Sequence, residues 1–166
     1  DIVITHAGFV GINHYQSAKA GVGAIPLLKP GGVLIMAANN TEPNPIGSPK
    51  YQTVLHLLKL IGVEAFNKLI LSESWTFIPE QWQVQMWAKV FTKISMDNFI
   101  YYSPQLSKGD YQFLPGIDGN NFLPEEERYQ GNLQRISTFL EQALKQKINE
   151  IKSKTNQPLS IAFLAD

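Results

Sequence analysis

Four short runs of consecutive apolar residues, separated by segments with helical periodicity, determine the fold class of this chain. They cover residues 2–5, 32–38, 98–103 and 159–164. Each run is continuously apolar and does not alternate, which is typical of strands that helices cover on both faces. Because these strands alternate with helical segments, the sequence predicts a three-layer αβα fold with a mostly parallel sheet of about four strands.

The segments between the strands predict five helices. They cover residues 14–28, 49–62, 64–71, a stretch that begins at 79, and 124–152. The helix that begins at Pro79 places Trp82, Met86, Val90 and Ile94 on one apolar stripe. In the last helix, apolar residues recur every three or four positions from Tyr129 onward. Its acidic residues 125–127 would occupy the first turn, where the helix dipole favours negative charge.

Two long loops follow the second and third predicted strands, over residues 39–49 and 105–123. Ligands of open α/β sheets bind outside the carboxyl ends of the strands. Both loops emerge at that edge, so the sequence predicts a ligand site there. The second loop is long for a compact domain, which indicates either a functional lid or a mobile segment.

Composition excludes several classes of protein. Lys and Arg total 14 and Asp and Glu total 14, so no basic footprint for nucleic acid is present. The chain has no Cys, which excludes thiol catalysis and disulfide bonds. The lack of Cys is consistent with a reducing, cytoplasmic location. No apolar run approaches the ~20 residues of a membrane span. The three His residues lack the spacing of a metal site.

The ends of the chain suggest a piece of a longer protein. Residue 1 is Asp and lies directly inside the first apolar run, and the sequence stops at Asp166 immediately after the last run. We therefore expect one domain, residues 1–166, from a larger enzyme.

The segment after the first strand contains most of the candidate functional side chains. Asn13 and Gln16 have the spacing of a helix capping box. Gln16 and Lys19 share one face of the following helix, where an amide, an ammonium and the positive end of the helix dipole could hold a small anion. The alternative is that Gln16 is only a capping partner and Lys19 only a solvated charge. His6, just past the strand, is the one His placed at the predicted crevice.

The glycines of this segment do not form a dinucleotide-binding motif. The loop has Gly8 and Gly11 but lacks the third glycine, and no acidic residue ends the second strand. Gly21 lies inside the predicted helix, where the lack of a side chain allows close packing against the sheet. A Rossmann-like nucleotide-binding enzyme domain remains the first alternative reading of the fold.

Three ordered motifs resemble the C-terminal domain of the nickel-pincer-nucleotide-dependent lactate racemase family. They are Asp1-Ile-Val-Ile-Thr5 with Tyr15-Gln16-x-x-Lys19, then Lys29-x-Gly-Gly-Val-Leu-Ile-Met36, then Ile78-Pro-Glu-Gln-Trp-Gln83. The resemblance covers most of residues 1–103 and is thinner beyond.

The resemblance implies an isomerase, a racemase or epimerase of 2-hydroxy acids, that acts by reversible hydride transfer at C2 of the substrate. Its active site would lie between this domain and an N-terminal domain that tethers the nickel-pincer nucleotide, so no cofactor is expected in this chain alone. By motif, Gln16 and Lys19 would position the substrate, and Tyr15 and Trp82 would contact it. His6 is added as a substrate contact from its place in the crevice.

One departure bears on the substrate. Members of the family commonly carry a proline and an aspartate in the loop before the Tyr-Gln pair, and residues 8–13 of this chain lack both. The substrate could therefore be a 2-hydroxy acid other than lactate, including a sugar acid. A non-catalytic α/β module that supports oligomer contacts is the second alternative.

Overall fold

A computed structural model describes residues 1–164 of the chain. The strands are β1 (Ile2–His6), β2 (Val33–Ala37), β3 (Phe99–Tyr102), β4 (Ile117–Asp118) and β5 (Ile161–Leu164). They form one sheet in the order β4-β3-β2-β1-β5, and every pair of neighbours is parallel. The predicted α/β fold is confirmed. The predicted domain extends to residue 166, and its last two residues lie outside the described part.

Helices cover both faces of the sheet. The α-helices of the described residues are α1 (His14–Ala24), α2 (Pro49–Ile70), α3 (Gln81–Phe91) and α4 (Arg135–Lys152). Val3 and Leu34 belong to a buried cluster that includes side chains of α1, α2 and α3. Their neighbours Ile4 and Ile35 belong to a second cluster with Phe139 of α4. Three layers result, which explains why the strands are apolar on both faces. None of the described helices is long and apolar enough to cross a membrane.

Trp87 of α3 lies at the centre of the larger core. Its side chain is fully buried, and its ring stacks on His14 of α1 at a centroid distance of 4.7 Å. A Cβ atom at Gly21 would lie 2.9 Å from the Trp87 ring. The close packing predicted for Gly21 is therefore against α3 and not against the sheet.

Helix α2 contains both helices predicted over residues 49–62 and 64–71. The backbone at Gly62 has φ 77° and ψ 166°, which breaks the helix where the sequence predicts its end. Glycine adopts this left-handed φ without steric cost. At the start of α2, the Ser48 hydroxyl accepts a hydrogen bond from the Tyr51 N–H at 3.3 Å, as the predicted cap requires.

The predicted helix over residues 124–152 is wrong in its first third. Glu125–Glu127 form a separate 3-10 turn, and α4 begins only at Arg135. Tyr129 has a φ of 58°, and its hydroxyl donates to Asp118 at 2.6 Å, so the chain turns back to β4. Glu127 pairs with Arg135 at 3.1 Å. The acidic residues therefore do not occupy the first turn of α4.

The sequence does not predict β4, which lies inside the predicted loop 105–123. A two-residue strand carries no periodicity, and its place depends on tight packing next to it. Gly116 has a φ of 100°, and a Cβ atom at Gly119 would lie 2.5 Å from the Cβ atom of Tyr102. The segment is thus tied to the edge of the sheet by glycines that permit close approach.

Candidate functional site

Asn40, which is fully buried, joins three segments at the carboxyl edge of the sheet. Its side-chain amide donates to the Gly11 carbonyl at 2.7 Å, and its Oδ1 accepts from the Tyr101 hydroxyl at 2.9 Å. Its backbone N–H donates to Gln105 Oε1 at 3.1 Å. These partners lie after β1, in β3 and after β3. The network therefore holds in place the edge at which ligands of parallel sheets bind.

The first backbone donors of α1 are already paired. Asn13 caps the helix as predicted, because its Oδ1 accepts from the Gln16 N–H at 2.7 Å. The N–H groups of His14 and Tyr15 donate to carbonyl groups of the loop after β2, at 2.8 and 3.0 Å. An anion at this helix end would find these three N–H groups occupied. The backbone N–H groups of residues 14–16 are therefore not free for an anion, and an anion there would depend on the predicted side chains Gln16 and Lys19 and on the helix dipole.

A polar pocket of about 300 Å³ lies beside the start of α1. Its lining comes from α1, from the loop after β2 and from the start of α3. The residues are Asn13, Tyr15, Gln16, Glu42, Asn44, Gly47, Ser48 and Glu80. Two of them are carboxylates on separate segments. This pocket, which we call the Glu42/Glu80 pocket, is the concave site closest to the predicted motif.

Both carboxylates of the Glu42/Glu80 pocket are held by hydrogen bonds. Glu42 Oε2 accepts from the Asn13 side-chain amide at 2.6 Å. Glu80 accepts from the Ser48 hydroxyl, and its backbone has a φ of 75°. A non-glycine residue in this left-handed region is strained, and such strain is concentrated at functional sites.

Gln16 lies in the wall of the Glu42/Glu80 pocket. Its Oε1 is buried and has no hydrogen-bond partner among residues 1–164. The reciprocal bond of the predicted capping box, from the Asn13 N–H to this oxygen, is therefore not formed. A buried amide oxygen normally has a donor, so this atom lacks a partner that a ligand could supply after a rotation of the side-chain amide.

Tyr15 lines the same pocket, and Trp82 is hydrogen-bonded to Tyr15 without being part of the pocket wall. Burial and the negative charge of Glu80 raise the pKa of the Tyr15 phenol, while a hydrogen bond with Trp82 opposes the shift. The phenol therefore stays protonated near neutral pH and can donate a hydrogen bond. Trp82 is 47% exposed and stacks on Phe77 at 6.1 Å. Trp82 departs from its predicted apolar stripe, because Met86, Val90 and Ile94 pack in the core whereas Trp82 is about half exposed.

Lys19 and His6 lie apart from this pocket. Lys19 is exposed on α1, three residues beyond Gln16, and is not part of the pocket wall. His6 lines a smaller hollow of about 230 Å³ at the carboxyl ends of β1 and β2, together with Asn39 and Ile136. The Nδ1 of His6 accepts from the Gly8 N–H at 3.1 Å, so the neutral ring carries its proton on Nε2.

The structure thus places two of the five predicted site residues, Tyr15 and Gln16, in the wall of one pocket, and a third, Trp82, is hydrogen-bonded to Tyr15. Sequence reasoning missed the acidic and polar part of the pocket, which includes Glu42, Asn44, Ser48 and Glu80. The loop after β2 carries no periodicity that could reveal its pocket-facing side chains. Glu80 does carry a signal, since it stands two residues before Trp82 in the third motif.

Within residues 1–164, no group of three or more His, Asp or Glu side chains is close enough to hold a metal ion. His14, for example, is fully buried between aromatic rings, and its Nδ1 lies 2.8 Å from the Tyr51 hydroxyl. A nickel ligand set is therefore not formed by the described part of this chain.

No profile of a known protein family and no curated protein matches the sequence. Among solved structures, the chain is similar to the lactate racemase apoprotein from Thermoanaerobacterium thermosaccharolyticum, with a TM-score of 0.63 and 20% identity. The match covers 99% of this chain and 33% of that chain. At this identity the similarity shows a shared fold, and the chain spans about a third of the length of the structure it matches.

Proposed function

We propose that this chain is the substrate-side domain of a racemase or epimerase of 2-hydroxy acids that uses a nickel-pincer nucleotide. The supporting observation is that Tyr15 and Gln16 line one pocket beside the carboxyl edge of the sheet, while Trp82 is hydrogen-bonded to Tyr15. The fold shared with the lactate racemase apoprotein over nearly the whole chain is consistent with this proposal.

In this proposal the cofactor belongs to an N-terminal domain of the same, longer protein. The described residues do not form a metal-ligand cluster, so the nickel ligands and the tether of the nucleotide would come from that domain. When bound there, the group would supply a hydride acceptor for C2 of the substrate. The lack of Cys in the sequence suits the cytoplasmic location that we propose with it.

The residues of this chain would bind and orient the substrate. Gln16 can present either its oxygen to a hydroxyl or, after rotation of the amide, its NH₂ group to a carboxylate. Lys19 lies on the same face of α1 and would attract the carboxylate as an exposed point charge. The protonated Tyr15 would donate a hydrogen bond. Together these contacts would hold C2 in one orientation, which is a positioning role.

The partner domain would cover exposed aromatic side chains near the site. Phe9 is 90% exposed after β1, and the stacked pair of Phe77 and Trp82 is 60% and 47% exposed. Exposed large apolar groups of this kind favour an interface over solvent. Closure over Trp82 would also exclude water from the substrate.

The nucleotide-binding alternative is not favoured by the geometry. A phosphate at the end of α1 needs free backbone N–H groups, and those of residues 14–16 are paired with loop carbonyls or Asn13.

The proposal is tested on the longer protein, produced together with nickel-cofactor biosynthesis. Lys19→Ala should lower kcat/KM for the 2-hydroxy acid about ten- to a hundred-fold, the effect of one lost charge-assisted contact. Lys89→Ala, an exposed lysine on α3, is the matched control and should retain the activity of the wild type. If Lys19→Ala left kcat/KM unchanged and shifted only the unfolding midpoint, the residue would be a solvated surface charge.

A further inference from the structure

The Glu42/Glu80 pocket has a lining that suits hydroxyl groups better than a carboxylate. Two negative side chains from separate segments face it, and both belong to the pocket wall. Like charges within a few ångströms repel strongly in a partly desolvated site. A second carboxylate of a substrate would therefore be disfavoured here.

The lining also offers both donors and acceptors. Tyr15 and Asn44 can donate, while Glu42 and Glu80 accept. An ammonium group only donates, whereas a hydroxyl both donates and accepts. A mixed lining of this kind therefore fits a row of hydroxyl groups.

The carboxylates retain capacity for a ligand. In each, one hydrogen bond to Asn13 or to Ser48 fixes the orientation. An ionised carboxylate can accept about four hydrogen bonds, so further donors can be accommodated.

Gln16 provides an independent indication of a ligand. Its Oε1 is buried in the pocket wall without a partner among the described residues. Most buried side-chain acceptors are satisfied, and an unsatisfied one costs stability. A ligand hydroxyl that donated to this oxygen, once the side-chain amide had rotated towards the pocket, would remove the deficit.

We propose that the Glu42/Glu80 pocket binds the hydroxyl groups of a polyhydroxylated 2-hydroxy acid, and that Glu42 and Glu80 determine this specificity. The inference that the ligand also carries a carboxylate rests on the proposed function, in which Lys19 attracts that group. The hydroxyl-binding pocket itself rests only on the side chains that line it. Lactate leaves the pocket unfilled, and a dicarboxylate is repelled by it.

The chain itself is the test material, because binding can be read without catalysis. Isotope-labelled protein is titrated with gluconate, the neutral polyol sorbitol, lactate and malate, and amide shifts in two-dimensional NMR spectra are followed. Gluconate and sorbitol should give saturable shifts at residues 15–16 and 80, and gluconate should bind more tightly because of Lys19. Lactate and malate should give no saturable shift at residue 80.

Near-isosteric variants connect binding to the two carboxylates. Glu80→Gln and Glu42→Gln should each weaken sorbitol binding about tenfold, since each replaces a charged acceptor by a neutral one. Glu64→Gln, an exposed position in the second half of α2, is the matched control and should bind as the wild type does. Sorbitol binding that is unchanged in both pocket variants, or malate binding at residue 80, would overturn the proposal.

The two proposals fail separately. A longer protein that racemises lactate, with kcat/KM unaffected by Glu80→Gln, would refute the substrate class and leave the racemase function standing. Saturable polyol binding to this chain, combined with a longer protein inactive on every 2-hydroxy acid, would refute the racemase function and retain the pocket.

Discussion

Replacing His14 by phenylalanine should remove a large part of the acid sensitivity of this fold. The His14 side chain is fully buried, with its ring stacked on Trp87 and its Nδ1 2.8 Å from the Tyr51 hydroxyl. Burial lowers its pKa to about 3. In the unfolded chain the imidazole has its ordinary pKa of about 6.5.

The magnitude follows from these two values. Above pH 6.5 the ring is neutral in both states, so it imposes no pH dependence. Between pH 6.5 and 3 the unfolded state binds a proton that the folded state excludes, and stability falls by about 1.4 kcal/mol per pH unit. From pH 7 to pH 4.5 the loss from His14 alone amounts to about 2–3 kcal/mol.

Urea unfolding of the wild type and of His14→Phe at pH 7 and pH 4.5 measures this effect. At pH 7 the variant should be less stable by about 1–3 kcal/mol, because the buried Tyr51 hydroxyl loses its hydrogen-bond partner His14 Nδ1. At pH 4.5 the gap should close or reverse. Val54→Ala, in the same core, is the control and should be destabilised equally at both pH values. An equal gap between wild type and His14→Phe at both pH values would refute the reasoning.

Three further results are expected for the chain. Asn40→Ala should lower the free energy of unfolding, measured in urea, by about 2–4 kcal/mol, because it removes several buried hydrogen bonds, including the one from Tyr101. A loss below about 1 kcal/mol would contradict this expectation. Gly119→Ala should destabilise the fold by about 3 kcal/mol, since the added Cβ atom would lie 2.5 Å from the Cβ atom of Tyr102. Gly109→Ala is the control and should be nearly neutral, because its nearest contact would be at 3.7 Å. Nickel added to the chain should be lost on dialysis against a mild chelator, and stoichiometric retention measured by elemental analysis would contradict the proposal that the nickel ligands belong to another domain.

The sequence predicts the layers of this fold because burial on both faces leaves a direct signal. In β2, for example, Leu34 packs towards α1–α3 and Ile35 towards α4, so both positions are apolar. Helix boundaries were less predictable. The periodicity of α4 continues upstream through Tyr129, yet that residue has a left-handed backbone fixed by contacts with Asp118 and Asn120. Tertiary contacts outweighed the local pattern there.

The residues of the site were predictable only where they lie next to a strand or helix that the sequence reveals. Tyr15 and Gln16 follow a strand and open a helix, so their position at the carboxyl edge follows from the fold class. Glu42 and Glu80 are 38 residues apart in sequence and lie in segments without periodicity. Only the packing of α3 beside α1 brings them to one pocket, so no local pattern could identify them.

The most direct measurement of the central claim uses a 2-hydroxy acid labelled with deuterium at C2 and the longer, nickel-loaded protein. Racemisation by hydride transfer returns the same hydrogen to C2, so the product of opposite configuration should retain its deuterium in ordinary water. Lys19→Ala should slow the reaction and leave the retention unchanged. Loss of the deuterium to solvent at the rate of racemisation would show proton abstraction at C2 and contradict the account.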